Sequence, residues 1–329
     1  MIGNLLVLVL LIIVVIALLY LARRAWGSLN GIVKWVSVVV SVLLALLVGF
    51  IAVVGAIGMY HAYIPRPNPV QQVSVQITPE RVERGGKLAN FCAGCHSTTM
   101  KPPLDGSAIN FGEQPGAPPL GLLYPPNLTP AGPLKTWSDG EIIRAIREGV
   151  HQSGRSLVIM PSESFHNLSD EDVQSLVAYL RSQPAVNHDE PDFQPNFVSM
   201  LVLGAGLFPP SAQAPITQPI VAPAKGATPE YGKYLVSISD CLVCHGADLG
   251  GGGSGRAFTP SGPNLTAIVS KWTREQFIQT IRTGVDPDGH KLDPTQMPWR
   301  DYSATYDDDE LSAIYEYIKT VPPVVKAAQ

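Results

Sequence analysis

The chain has 329 residues, more than one typical domain, and 46% of them are hydrophobic. Its mean hydropathy is positive, which indicates membrane segments and argues against a uniformly soluble chain. The net charge of −4 is too small to identify a charged partner, and we expect no nucleic-acid partner.

Two apolar runs occupy the start of the chain. Residues 5–22 form an uncharged run and residues 35–59 form a second; each is close to the roughly 20 residues that a membrane-spanning helix needs. A cleaved signal peptide is the alternative for the first run, but no basic residue precedes it. We therefore predict a transmembrane helical hairpin over residues 1–64.

The charges around this hairpin predict its orientation. The basic residues Arg23, Arg24 and Lys34 lie in and beside the short connection between the runs, together with Trp26 and Trp35. Basic connections stay on the cytoplasmic side, and tryptophans favour the membrane interface. The prediction is a two-pass protein of a bacterial plasma membrane, with the rest of the chain on the periplasmic side and the lipid bilayer as one partner.

Two copies of the motif C-x-x-C-H account for all four cysteines. In this motif the two thiols attach a haem covalently and the histidine ligates its iron. A zinc site built from four thiolates would leave both histidines unexplained, and two disulfides would do the same. We therefore predict two covalently attached haem c groups. Their attachment residues are Cys92, Cys95 and His96 in the first copy and Cys241, Cys244 and His245 in the second.

An internal repeat organises the sequence around these motifs. Each copy opens with T-P-E, at 78–80 and 228–230, which is the pattern of a helix N-cap followed by proline. After each haem motif come P-N-L-T, a tryptophan, an amphipathic helical pattern and a final helical pattern. The predicted helices cover 139–150 and 173–181 in the first copy and 274–285 and 311–319 in the second.

A methionine followed by proline occurs at corresponding places in both copies. A haem iron held by histidine on one face can take a methionine thioether on the other, whereas a lone methionine is more often a core filler. Of the six methionines, only Met160 and Met297 occupy this repeated position. The predicted iron ligands are therefore His96 with Met160 and His245 with Met297.

Three other histidines are alternative sixth ligands. His151 and His166 flank Met160, and His290 precedes Met297. Their positions in the two copies do not correspond, so we expect them at the surface or beside a haem propionate.

A proline-rich segment, residues 184–225, separates the two copies and is predicted to be a linker. Residues 197–208 interrupt it with an apolar stretch that is too short to span a bilayer. This stretch can pack across the haem domains, rest at the membrane interface or contact a partner; its lack of a basic face favours packing or a partner. The predicted domains are thus 1–64, 65–183, 184–225 and 226–329.

From residue 78 onward the sequence resembles tandem class I c-type cytochromes, and most closely the cytochrome c subunits of membrane-bound alcohol and gluconate dehydrogenases. The resemblance lies in W-S-D at 137–139, M-P at 160–161, L-S-D-E-D at 168–172 and Q-M-P-W at 296–299. It implies an all-α fold, in which the hairpin precedes two class I cytochrome c domains. Those subunits usually carry three haems behind a cleaved signal peptide, whereas this chain has two haem motifs behind a predicted hairpin.

The predicted function is transfer of single electrons by a membrane-anchored subunit of an electron-transport complex. With both axial positions filled, neither iron has an open site for peroxide, oxygen or sulfur chemistry. The complex can be quinol-oxidising, a terminal oxidase, a photosynthetic reaction centre or a dehydrogenase, with or without a soluble electron carrier. The alternative class is a dihaem enzyme, such as a peroxidase or a thiosulfate dehydrogenase, in which substrate must reach one iron.

Overall fold

The computed structural model describes residues 1–27, 30–113, 116, 118–208, 211–253 and 260–324. Within these ranges the regular structure is helical apart from one two-stranded antiparallel pair and two isolated bridges. The predicted all-α class is confirmed. In chain order the elements are α1 (Ile2–Trp26), α2 (Gly31–Tyr63), α3 (Pro79–Leu88), α4 (Asn90–His96), β1 (Gly121–Leu122), α5 (Asp139–Glu148), α6 (Ser162–Phe165), α7 (Asp170–Ser182), β2 (Gln194–Pro195), α8 (Phe197–Gly204), α9 (Pro229–Ile238), α10 (Cys241–His245), α11 (Leu265–Ile268), α12 (Arg274–Thr283), α13 (Trp299–Thr305) and α14 (Asp308–Thr320). Short 3-10 turns cover Pro133–Thr136 and Val269–Lys271.

Contacts divide the chain into two compact units. The first, called here the hairpin unit, contains Met1–Pro65, Ile109–Tyr124 and Pro191–Pro210. The second, called the repeat unit, contains Arg66–Ala108, Pro125–Glu190 and Ser211–Gln329. Both copies of the repeat therefore lie in one unit, while the apolar part of the linker groups with the predicted hairpin.

The hairpin unit is built on α1 and α2, which pack against each other. They contain 25 and 33 residues, so at about 1.5 Å per residue they are about 38 and about 50 Å long. Both are long and apolar enough to cross a membrane. The Asn30 side chain starts α2 by accepting hydrogen bonds from the N–H groups of Ile32 and Val33.

The repeat unit contains two copies of one helical arrangement. In each copy the opening helix packs against the final helix, α3 against α7 and α9 against α14. Gly85 faces the backbone carbonyl of Ser175, and Gly232 faces that of Ala313, so closely that a Cβ atom at either glycine would collide. These close approaches require glycine at both crossings.

The middle helices, α5 and α12, begin and end through matching caps. Ser138 and Thr273 each form a reciprocal capping box with the residue three positions later. Gly149 and Gly284 end the helices with φ of 63° and 68°, a left-handed conformation that glycine adopts without a steric penalty. The two predicted helices are confirmed, and each ends two residues earlier than the apolar pattern because of this glycine.

The final helices are confirmed as well. The Ser169 hydroxyl caps α7, and Asp307 with Glu310 forms a capping box at α14. Acidic residues in both first turns match the positive end of the helix dipole. One cluster of buried apolar side chains includes residues from both copies, among them Leu176 and Ile314, so the two copies share a hydrophobic core.

Candidate haem-attachment sites

The two C-x-x-C-H motifs lie on the short helices α4 and α10, each of which follows an opening helix. All four thiols are partly buried and none is in a disulfide. Among the described residues, the only cluster of three side chains that could hold a metal ion is Asp286, Asp288 and His290. The four thiols therefore do not converge on one metal site, which argues against the zinc and disulfide alternatives.

The motif histidines are held by the same contact in both copies. The Nδ1 atom of His96 lies 2.9 Å from the carbonyl of Pro126, and that of His245 lies 2.9 Å from the carbonyl of Pro263. A carbonyl only accepts, so each Nδ1 carries the proton and donates, leaving Nε2 as the free ligand atom. Burial lowers the pKa of both imidazoles, which favours the neutral ring that iron requires.

The P-N-L-T motif fixes the position of these carbonyls. The Asn127 amide donates to the carbonyl of Val186 over 2.8 Å, and its Oδ1 accepts from the Thr129 hydroxyl over 2.7 Å. The motif therefore attaches the proline turn to the chain that leaves the final helix, and so orients the histidine ring. The second copy repeats these bonds, at 2.8 and 2.7 Å, with Asn264, Thr266 and Val324.

Met160 and Met297 occupy equivalent loops after the middle helices. Both are partly buried and pack against the shared core. In each loop a backbone N–H returns to the carbonyl of the glycine that ends the middle helix, Gly149 or Gly284, at 2.7 and 2.8 Å. The two predicted ligand methionines thus lie in loops that are held by equivalent backbone hydrogen bonds.

The alternative histidines make different contacts. His151 packs edge-on against Trp137, and its burial, with the charges of Arg155 and Arg144, lowers its pKa to about 4. The Nδ1 atom of His166 bonds to the carbonyl of Arg147 at 3.0 Å. His290 is 75% exposed and bonds to Asp286 at 3.0 Å. The repeated histidine-to-proline contact is confined to His96 and His245 among these described rings.

The two haem motifs lie at the boundary between the copies. Phe91, immediately before Cys92, contacts the rings of Tyr302 and Tyr306, with centroids 5.5 and 5.6 Å apart. In the reverse direction, Asp240, immediately before Cys241, bonds to the Ser164 side chain in α6. Each motif thus lies against the segment that follows the methionine of the other copy.

Asp240 is a functional candidate that the sequence patterns did not reveal. It adopts a left-handed conformation with φ of 57°, and its Oδ1 is buried without a hydrogen-bond partner. Burial raises its pKa to about 6, although the bond from Ser164 opposes this. Its charge acts on all four motif thiols, so it is close to both attachment motifs.

A buried charge network joins the copies beside the helix crossings. Arg84 in α3 makes a two-pronged contact with Asp172 in α7, at 2.8 and 3.0 Å, and a third bond to Glu310 in α14, at 2.6 Å. Tyr231 donates to Glu310 and Tyr234 to Asp172, at 3.0 and 2.6 Å. All three charged side chains are about one-tenth exposed.

These contacts also change the pKa values in the network. Burial alone would lower the pKa of Arg84, but the bond and charge of Asp172, with the charge of Glu310, raise it above its ordinary value. Burial would raise the pKa of Asp172, but Arg84 lowers it. Arg84 and Asp172 therefore each favour the charged form of the other, and each of the three charged side chains has a partner of opposite charge.

Comparison with known proteins decides the family. The sequence profile of the family described as Cytochrome c matches residues 82–184 and 229–322, one match for each copy and together more than half of the chain. The chain belongs to the cytochrome c family.

Its relatives include cytochrome subunits of dehydrogenases. The cytochrome is 30% identical to a subunit of nicotinate dehydrogenase from Pseudomonas putida, over 73% of this chain and 21% of that protein. It is 25% identical to the fructose dehydrogenase cytochrome subunit of Gluconobacter japonicus, over 80% of this chain and 57% of the relative. It is 23% identical to a diheme cytochrome c-type protein of Cereibacter sphaeroides, over 83% and 96%. The chain thus spans about a fifth of the length of the nicotinate dehydrogenase subunit and just over half of the length of the fructose dehydrogenase subunit.

These findings confirm the predicted cofactor and general role. The cytochrome carries two covalently bound haem c groups and transfers electrons. The residues described above fit such groups, because each copy supplies two unpaired thiols, an oriented neutral imidazole and a loop methionine.

Proposed function

We propose that this cytochrome is a membrane-anchored electron-transfer subunit with two closed haem sites in one compact periplasmic unit. The observation that carries the proposal is the histidine-to-proline contact, which is repeated in both copies, together with a methionine at the equivalent loop position after the middle helix of each copy. The attachment residues in this proposal are Cys92, Cys95 and His96 for the first haem and Cys241, Cys244 and His245 for the second.

Met160 and Met297 complete the iron coordination in this proposal. Bound haem supplies one-electron chemistry by alternating between Fe(III) and Fe(II). The chain's residues hold the two imidazoles against carbonyls and present the two thioethers, so no position is left for a substrate on iron. This arrangement favours an electron relay over a peroxidase or a thiosulfate dehydrogenase.

The boundary between the copies supports electron transfer from one haem to the other. Both attachment motifs lie there, and the shared core and the Arg84 network hold the copies together. A fixed boundary keeps the spacing of the two groups constant during each one-electron step. This role of the boundary needs no residue that reacts chemically.

The anchor in this proposal is the α1 and α2 hairpin. Trp26 and Trp35 contact each other, with centroids 5.2 Å apart, and the Lys34 ammonium lies 4.2 Å from the Trp26 ring. Arg23 and Arg24 lie in the last turn of α1. In this proposal the aromatic and basic cluster lies at the cytoplasmic interface, where such residues concentrate, and it supports a periplasmic location for the cytochrome domains.

The partner that we propose is a dehydrogenase, because four relatives are named as cytochrome subunits of fructose, alcohol or gluconate dehydrogenases. The test is to extract the full-length cytochrome from its own membrane in mild detergent and to identify by mass spectrometry the chains that copurify. A flavin or quinoprotein dehydrogenase chain in stoichiometric amount, which reduces both haems when its substrate is added, is the expected result. Copurification of oxidase or quinol-oxidising subunits alone would overturn the dehydrogenase assignment.

A further inference from the structure

Helix α8 packs against α2 through two glycines, one on each helix, and each glycine faces the backbone of the other helix. Gly58 of α2 lies against the backbone carbonyl of Met200, and Gly204 of α8 lies against the backbone carbonyl of Val54. A Cβ atom at either glycine would stand closer than 2 Å to the facing oxygen. The two helix backbones are therefore in direct contact over residues 54–58 of α2.

This form of packing is typical of helices in a membrane. Because lipid tails are as apolar as leucine, membrane helices associate through small residues that let their backbones approach closely. The surrounding sequence agrees, since no charged residue occurs between Asp192 and Lys225. Helix α8 itself is apolar apart from Ser199, which is buried.

The position of the contact along α2 matches the far edge of a bilayer. A hydrocarbon core of about 30 Å corresponds to about 20 helical residues, and counting from Trp35 this length ends near Gly55. At this end the Asn4 amide donates to the Tyr63 hydroxyl and to the carbonyl of Pro195, both over 2.9 Å. Helix α8 therefore meets α2 where the hydrocarbon layer ends, opposite the basic connection.

We propose that α8 and the residues directly after it are a third element of the membrane anchor, inserted into the acyl region of the outer leaflet. This inference rests on the proposed hairpin anchor. Leu207, just after α8, is 55% exposed, and Val53 and Ile57 of α2 beside the crossing are exposed and apolar. Lipid is the occupant that fits this surface, because the surface has no charged residue and adjoins the face of α2 that lipid would cover.

The test measures water access at single introduced cysteines in the full-length holoprotein, reconstituted one copy per lipid nanodisc. The haem-bound cysteines are thioethers and do not react with maleimides. The variants are Leu207→Cys beside α8, Leu47→Cys in the middle of α2 and Val221→Cys in the repeat unit. These side chains are 55%, 56% and 85% exposed in the protein itself, so protection of any of them in a nanodisc comes from lipid.

We expect a charged, water-soluble maleimide to label Leu207→Cys and Leu47→Cys at least tenfold more slowly than Val221→Cys. Labelling of Leu207→Cys as fast as Val221→Cys, with Leu47→Cys protected, would overturn the role of α8 and leave the hairpin anchor intact. Fast labelling of all three cysteines would instead overturn the anchor. Protection of Leu207→Cys only after a partner chain is added would assign the surface to protein and would also contradict the proposal.

Discussion

Arg84 in the first cytochrome domain donates to Glu310 in the second, with a distance of 2.6 Å between Nη1 and Oε1. The same guanidinium binds Asp172 of its own domain. One buried cation thus balances two buried carboxylates across the boundary that carries both haem motifs. Removing the cation would leave two like charges near each other in a water-poor site.

Replacement of Arg84 by methionine is therefore expected to destabilise the holoprotein by about 3–5 kcal/mol, the usual cost of breaking a buried ion pair. Guanidinium unfolding, followed by haem absorbance and circular dichroism, measures the change. Arg274→Met is the matched control, because the Arg274 to Glu316 pair is half-exposed at its arginine, and we expect it to change stability little. A loss at Arg84→Met no larger than that of the control would contradict the structural role of the network.

Asp240 is expected to make the reduction potentials depend on pH. Its buried carboxyl has a pKa raised to about 6, so it is largely protonated at pH 5 and ionised at pH 8. A nearby carboxylate stabilises Fe(III) over Fe(II). The potentials should therefore fall as the pH rises through about 6, and they should fall less in Asp240→Asn.

Spectroelectrochemical titration of both haems at pH 5 and pH 8 checks this dependence. Asp309→Asn is the control, because Asp309 is an exposed carboxyl in the first turn of α14. We expect its titrations to match those of the original chain. An Asp240→Asn variant with the full original pH dependence would show that another group controls the potentials.

At the glycine crossings, the sign of the stability change on replacing glycine by alanine tests the close contact. A glycine-to-alanine change inside a helix ordinarily stabilises it by up to about 1 kcal/mol. At Gly232 the new methyl group would collide with the Ala313 carbonyl, so Gly232→Ala should destabilise the domain by about 1–3 kcal/mol. Thermal unfolding measures the change in stability. Lys233→Ala is the control, because Lys233 is an exposed neighbour in the same helix. A Gly232→Ala variant that is more stable than the original chain would disprove the close contact.

Local patterns were sufficient to predict the opening, middle and final helices of both copies, but not the short helices between them. Ser138 and Thr273 mark the starts of α5 and α12, and Gly149 and Gly284 mark their ends, because caps depend on residues within a few positions. The attachment motifs are likewise local in sequence. Such features need no knowledge of which helices meet in space.

Contacts between distant segments could not be predicted in this way. Arg84 and Glu310 are 226 positions apart, and nothing near either residue identifies the other. The packing of α8 on α2 was also unforeseen, because a small residue such as Gly204 does not identify its neighbour. The sequence did contain one sign of an inserted loop in the first copy, because the motif histidine is 30 positions from its proline there and only 18 in the second copy. Part of this longer loop, Ile109–Tyr124, belongs to the hairpin unit.

In the proposed function, Met160 and Met297 close the two haem sites. The most direct measurement is near-infrared magnetic circular dichroism of the oxidised holoprotein, in which the methionine-to-iron charge-transfer band is counted per haem. We predict two such bands per chain, with one lost in Met160→Ala and the other in Met297→Ala. We also expect both haems of the original chain to bind cyanide slowly. A single band in the original chain, or one haem that binds cyanide rapidly, would contradict methionine ligation of both irons and favour a dihaem enzyme.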